Sequence, residues 1–276
     1  MASRNFRELL ESRWKLGNFL CVGLDSELSR IPASARKGTI RDTLFNFNRE
    51  IIDATHRLVC AFKPNSAFYE AHGEEGLLAL SDTVNYIHKI APDVPFILDA
   101  KRADIGNTNN GYVEAIFDRL GVDAVTLHPY LGKDALMPFL KRREKGIIIL
   151  CKTSNPGAGE FQDLETGGKP LYLTVAEHVS QTWNENKNCG LVVGATYPED
   201  LKKVRAVAGD MPILLPGIGE QGGDLAKTVV AGRDSRGRGM IISASRSVIF
   251  ASSGKDYVEI ALKKATELDG AIRAAL

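Results

Sequence analysis

Residues 96–108 read FILDAKRADIGNT, setting two acids, Asp99 and Asp104, and two bases, Lys101 and Arg102, at the end of an apolar run. Charge at the end of a buried strand is costly unless it is paired or put to use. Asp99 and Lys101 are two apart and so share one face of a strand, which Ile97 continues inward, whereas Arg102 takes the other face and is expected to pair with a carboxylate on the helix side. Asp104 lies past the strand and can point elsewhere, including across a subunit boundary. Asp25 closes FLCVGLD (19–25), and Lys63 stands near the end of LVCAFKPN (58–65). An ammonium flanked by carboxylates keeps its charge, which suits it to stabilise a developing anion and then to give up a proton. The competing reading is a structural ion-pair cluster. Four such groups on three strands, with a glycine-rich loop later in the chain, favour an active site.

These charges need a frame that brings distant strand ends together. Eight apolar runs recur, at 19–25, 58–65, 95–101, 124–130, 146–153, 190–196, 212–218 and 239–245. They are nearly continuous and not polar on alternate positions, as strands buried on both faces are. Helical patterns lie between most of them, for example at 44–57, 74–90, 110–120, 171–186 and 199–208. Eight strand–helix units in a chain of 276 residues predict a single (β/α)₈ (TIM) barrel domain over 1–276, and catalytic groups of such barrels come from the C-terminal strand ends. A doubly wound dinucleotide-binding sheet is the rival, since GIGEQGG (217–223) holds a literal GxGxxG at Gly217, Gly219 and Gly222. A dinucleotide fingerprint follows the first strand of its domain, however, and this one follows the seventh of eight, where barrels cradle phosphate.

Composition narrows the class of ligand. With 35 basic against 34 acidic side chains, the chain has no broad field for nucleic acid or an anionic membrane, so an anionic ligand needs a local site. Cys21, Cys60, Cys151 and Cys189 sit singly in or beside apolar runs without metal-type spacing and read as reduced core thiols. The stripe Phe6, Leu9, Leu10 and Trp14 marks an N-terminal packing helix, not a transit peptide. No apolar run approaches the ~18–20 residues that cross a bilayer. The expected location is the cytoplasm.

The pattern DAKRADIGNT, with VGLD on the first strand and FKPN on the second, resembles the orotidine 5′-monophosphate decarboxylase family. CKTSNPG (151–157), PGIGEQGGD (216–224) and SASRSVIF (243–250) resemble that family's base-facing loop and its two phosphate-binding segments, so the likeness runs through essentially all eight strands. The DxKRxDI and TSNPG forms look like its second subgroup. The resemblance implies decarboxylation of orotidine 5′-monophosphate to uridine 5′-monophosphate in de novo pyrimidine synthesis, with no metal and no cofactor. It implies a charge chain of Lys63, Asp99, Lys101 and Asp104, in which Lys101 protonates C6 and Asp104 comes from the partner of a homodimer. It further implies that Asp25 and Lys63 bind the ribose hydroxyls, that Thr108 of the other subunit joins them, and that Ser154 meets the pyrimidine. Gly219, Gln221, Gly222 and Arg246 would hold the phosphate. In some protists the family is fused to orotate phosphoribosyltransferase, and this chain contains only the decarboxylase part.

Related sugar-phosphate barrels share the DxK..D signature but use magnesium and an acid near the end of the second strand. Lys63 stands there in this chain, and an ammonium repels Mg²⁺ and offers it no oxygen. A non-catalytic nucleotide-binding barrel is the rival from another class, against which intact Asp99, Lys101 and Asp104 argue. KRREK (141–145) reads as the solvated end of a helix and GRDSRGRG (232–239) as an exposed loop. His56, His72, His88 and His178 read as structural and His128 as packing or hydrogen bonding, while Lys152 is free to face either way.

Overall fold

The computed structural model describes residues 4–218 and 224–276. Along the chain run α1 (Phe6–Lys15), β1 (Leu20–Val22), α2 (Ile40–Thr55), β2 (Val59–Phe62), α3 (Ala67–Glu70), α4 (Gly73–Ile90), β3 (Ile97–Arg102), α5 (Gly106–Val113), β4 (Ala124–Leu127), α6 (Gly132–Leu140) and β5 (Gly146–Lys152). A helical turn α7 (Gly159–Gln162) and a small antiparallel hairpin, β6 (Glu165–Thr166) with β7 (Lys169–Pro170), follow. The remainder is α8 (Leu171–Glu177), β8 (Cys189–Val193), α9 (Pro198–Ala208), β9 (Ile213–Pro216), α10 (Leu225–Gly232), β10 (Met240–Ala244), α11 (Arg246–Ile249) and α12 (Tyr257–Ala275).

Eight strands form one parallel sheet in the order β2-β1-β10-β9-β8-β5-β4-β3. Its two ends meet through isolated bridges, Phe62 to Phe96 and Asn65 to Asp99, which close the (β/α)₈ barrel. Pro64 lies in this seam without an N–H to donate, and its carbonyl accepts the Asp99 N–H at 2.9 Å. The strands are built from Ile, Leu, Val, Cys and Ala, buried on both faces as continuous apolar runs require. The eight runs expected from the sequence are the eight barrel strands, each somewhat shorter than its run.

Helix starts follow local chemistry. Thr39 and Asp42 make a reciprocal capping box for α2, Pro198 opens α9, and the Asp224 carboxylate accepts the Lys227 N–H at the start of α10. The N-terminal helix packs as expected: Phe6, Leu10 and Trp14 are buried, and the Trp14 indole N–H donates to the Met240 carbonyl at 2.8 Å. Phe6 lies where a Cβ on Gly146 would stand 2.2 Å from its ring. Gly146 begins β5 and Met240 begins β10, so α1 plugs the end of the barrel opposite the catalytic strand ends.

Three features differ from the expectations. The β6–β7 hairpin and the long terminal helix α12 were not among the patterns read from the sequence. The 141–145 segment is only partly solvated, because Lys145 is buried with its ammonium donating to the Val122 carbonyl at 2.8 Å. All four cysteines are buried, and burial pushes the thiols of Cys21, Cys151 and Cys189 up to about 12, which leaves them poor nucleophiles. No described helix is long and apolar enough to cross a membrane.

Candidate active site

Asp25, Lys63, Asp99 and Lys101 converge at the C-terminal mouth of the barrel. The Asp99 carboxylate lies between two ammonium groups: Lys63 Nζ is 3.2 Å from Oδ2 and Lys101 Nζ is 2.6 Å from Oδ1. Thr126 on β4 donates its hydroxyl to the same Oδ1 at 2.9 Å. Asp25 accepts the Asn65 N–H at 3.1 Å, which ties the loop after β1 to the end of β2.

The contact between Asp99 and Lys101 fits the shared face expected of them, but the strand between them is not regular. The β3–β4 register shifts between Leu98 and Arg102, and Lys101 has φ 47°, a left-handed backbone that costs a non-glycine residue about 1–2 kcal/mol. The Lys101 N–H donates to the Thr126 hydroxyl oxygen at 3.0 Å. One buried threonine thus holds both the strained backbone of the lysine and the carboxylate that its ammonium meets.

Burial opposes charge on Lys63, but Asp25 and Asp99 outweigh it and hold the ammonium above the ordinary lysine value. Burial likewise pushes the Asp99 carboxyl up, and Lys63 and Lys101 more than reverse this, holding it well below the usual carboxylate range. Both groups are therefore ionised across neutral pH. Lys101 is the accessible member, with 46% of its side chain exposed against 5% for Lys63.

Two adjoining cavities of about 150 and 420 Å³ open above these charges and share Lys63, Asp99, Ser154 and Pro216 in their walls. Lys101 lines the larger one; Asp25 and Arg246 line the smaller one with Ser243, Ser245 and Gly217. Two glycines make room for the walls: a Cβ on Gly23 would stand 1.8 Å from the Ser245 hydroxyl, and one on Gly194 would stand 2.8 Å from the Ser154 Cβ. The result is a charged floor with one polar wall at Ser154 and a guanidinium-bearing end at Arg246, a layout that suits a ring at one end and an anion at the other.

Asp104 and Thr108 are not brought to this cavity within the chain. Asp104 Oδ1 accepts the Ile105 N–H at 2.6 Å, and the Asp104 backbone is held by Asn109, whose amide also donates to the Ala135 carbonyl at 2.6 Å. Thr108 is exposed on α5. Around them stand large apolar side chains open to solvent: Ile105 (64% exposed), Tyr130 (89%) and Leu131 (43%). Gly219, Gln221 and Gly222 lie outside the described residues.

Comparison with known proteins places this geometry. The model of the orotidine 5′-phosphate decarboxylase / HUMPS family matches residues 18–260. The chain belongs to that family. It is 48% identical to the orotidine 5′-phosphate decarboxylase of Ralstonia pickettii over 94% of this chain and 95% of that one, and 49% identical to that of Cupriavidus metallidurans over 91% and 92%. Among solved structures, the Leishmania donovani OMP decarboxylase superposes with a TM-score of 0.84 at 38% identity, covering 99% of this chain and 100% of that one. The UMP synthase of the same organism gives a TM-score of 0.88 at 39% identity; the match covers 99% of this chain and 56% of the longer enzyme.

Within this decarboxylase-family frame, the sequence pointed to the charged residues of the floor but missed the hydroxyl that joins two of them. Thr126 sits in AVTL, where a threonine looks like any β-branched strand residue; the available signal was a lone polar side chain amid a fully apolar strand. Asn65, which donates to Asp25, was also passed over. Arg102 pairs with Glu70 on the helix side, as expected. Half-buried His128 donates its backbone N–H to the Arg102 carbonyl at 3.1 Å. Lys152, whose direction the sequence left open, is buried and paired with Asp163. Among the described residues no group of three or more His, Cys, Asp or Glu side chains is placed to hold a metal ion.

Proposed function

We infer that the chain decarboxylates orotidine 5′-monophosphate to uridine 5′-monophosphate, the last step in making that nucleotide de novo. The observation that carries this reading is the Asp99 carboxylate fixed between Lys63 and Lys101 beneath a cavity, in a chain of the decarboxylase family. The C6–carboxylate bond breaks, its electron pair stays on C6, and CO₂ leaves. Lys101 Nζ stabilises the pair and then gives C6 a proton, which solvent returns to the lysine. The sign and accessibility of Lys101 suit this role, and its ion pair with Asp99 favours the charged form.

Asp99 faces the departing carboxylate in this reading. At ~4 Å and an effective dielectric of 20 their repulsion is about 4 kcal/mol before the lysines screen it, an effect secondary to the stabilisation by Lys101. Asp25 and Lys63 take the ribose hydroxyls and Ser154 the pyrimidine edge. Arg246, with Gly219, Gln221 and Gly222, takes the phosphate, whose binding energy drives closure over the ring. The Lys63 ammonium at 3.2 Å from Asp99 occupies an oxygen that a magnesium site would need, which favours this chemistry over that of the sugar-phosphate branch.

We further propose that the whole chain acts as one barrel domain and works as a homodimer in the cytoplasm, without nucleic-acid or membrane partners. Each subunit would lend Asp104 and Thr108 to its neighbour's site. Exposed Ile105, Tyr130 and Leu131 beside these two residues support an interface there. The test is loss of orotidine 5′-monophosphate absorbance by the purified protein in excess EDTA. Rapid turnover is expected; none from a folded protein that still binds uridine 5′-monophosphate would leave a binding barrel instead.

A further inference from the structure

Lys152 ends β5 and takes no part in the charge cluster of the floor. Only 3% of its side chain is exposed, and its ammonium lies 5.3 Å from the ring centre of Tyr172 and 5.1 Å from that of Tyr197. Its ionic partner is Asp163, half exposed at the far end of the 153–163 loop. A second clasp runs beside the first: the Thr153 N–H donates to Gln162 Oε1 and the Gln162 amide donates back to Thr153 Oγ1, both at 2.8 Å. At the base, the Lys152 carbonyl accepts the Gly194 N–H at 2.7 Å, and Gly194 is the residue against which Ser154 packs.

The loop that carries Ser154 is therefore cinched at both ends. An ammonium withdrawn from water between two aromatic faces binds its carboxylate more strongly than an exposed lysine does, and tying the loop ends removes disordered conformations. We propose that Lys152 is a positioning residue which, through Asp163, holds the 153–163 loop with Ser154 on the cavity wall before substrate arrives. The consequence for substrate binding rests on the reading of Ser154 as the pyrimidine contact; the ordering of the loop does not. If the ordered loop falls to about a tenth of the population, apparent affinity weakens about tenfold, while turnover of bound substrate is preserved.

Asp163→Asn tests this, since a half-exposed position tolerates the change and thermal melting confirms the fold. Expected are faster deuterium exchange at amides 154–160, a KM for orotidine 5′-monophosphate raised about tenfold with kcat nearly unchanged, and recovery in Asp163→Glu. Exchange and KM both at wild-type values would overturn the proposal. So would faster exchange with an unchanged KM if Ser154→Ala raises KM. Faster exchange with KM unmoved in both variants would leave the clasp standing and remove Ser154 from the pyrimidine contact.

Discussion

Thr126 donates its hydroxyl to Asp99 Oδ1 at 2.9 Å while accepting the N–H of Lys101, and so fixes both partners of the 2.6 Å ion pair from a neighbouring strand. The left-handed backbone of Lys101 is thereby tied to the orientation of the carboxylate that its side chain meets. Neither arrangement survives independently of the other.

Thr126→Val keeps the shape and removes the hydroxyl. A hydrogen bond to a charged group contributes about 1.5–3 kcal/mol, so kcat should fall by roughly 10- to 100-fold with KM little changed. Thr126→Ser should restore most of the loss. Steady-state kinetics on the three proteins decide it, and wild-type kcat in the valine variant would confine Thr126 to packing.

The depressed Asp99 carboxyl contributes stability that is present above its unfolded pKa of ~3.9 and is lost as pH falls through the lower folded value. Lys63, held high, contributes below its unfolded pKa of ~10.4 and loses that contribution as pH rises through the folded value. Both contributions are complete from about pH 5 to 9. Asp99→Asn leaves two ammonium groups facing each other, one of them buried, and should cost about 3–5 kcal/mol at pH 7. In urea titrations the gap to wild type should narrow below pH ~4. A gap that stayed constant into acid would mean that the carboxylate charge is not what stabilises the site.

Lys101→Ala should lower turnover by at least ~10³-fold with the fold intact, since removing the charge and the proton donor removes two contributions at once. Mixed with Asp104→Ala, it also tests the shared site. A heterodimer of these two inactive chains holds one complete site, so an equal random mixture should regain roughly a quarter of wild-type activity. Absence of recovery despite heterodimers seen by native mass spectrometry would keep Asp104 within its own chain.

Sequence reasoning reached the barrel because strands covered on both faces have to be apolar throughout, and eight such runs admit few arrangements. It reached Asp25, Lys63, Asp99 and Lys101 because charge at the end of such a run is conspicuous. The bulge at Lys101 left no trace, since lysine carries no mark of a left-handed backbone as glycine would. Lys152 was ambiguous for a related reason: the β5–β8 register shifts between Leu150 and Lys152, so alternation counted along β5 stops being a guide to facing. In α12 the buried face is made of Ala261 and Ala265 with Tyr257 and Ile272, too small a stripe to stand out from its polar neighbours.

Seven of the junctions around the barrel are laddered strand pairs, while β2 and β3 meet through two isolated bridges. Lys63 and Asp99 stand on opposite sides of that junction and bond across it. The pair is thus a rivet as well as a reagent: the circumference of the barrel and the spacing of the reacting charges are one measurement. Redesign of the α3–α4 connection between these strands would retune shape and chemistry together, and loosening at the seam would register first as lost turnover.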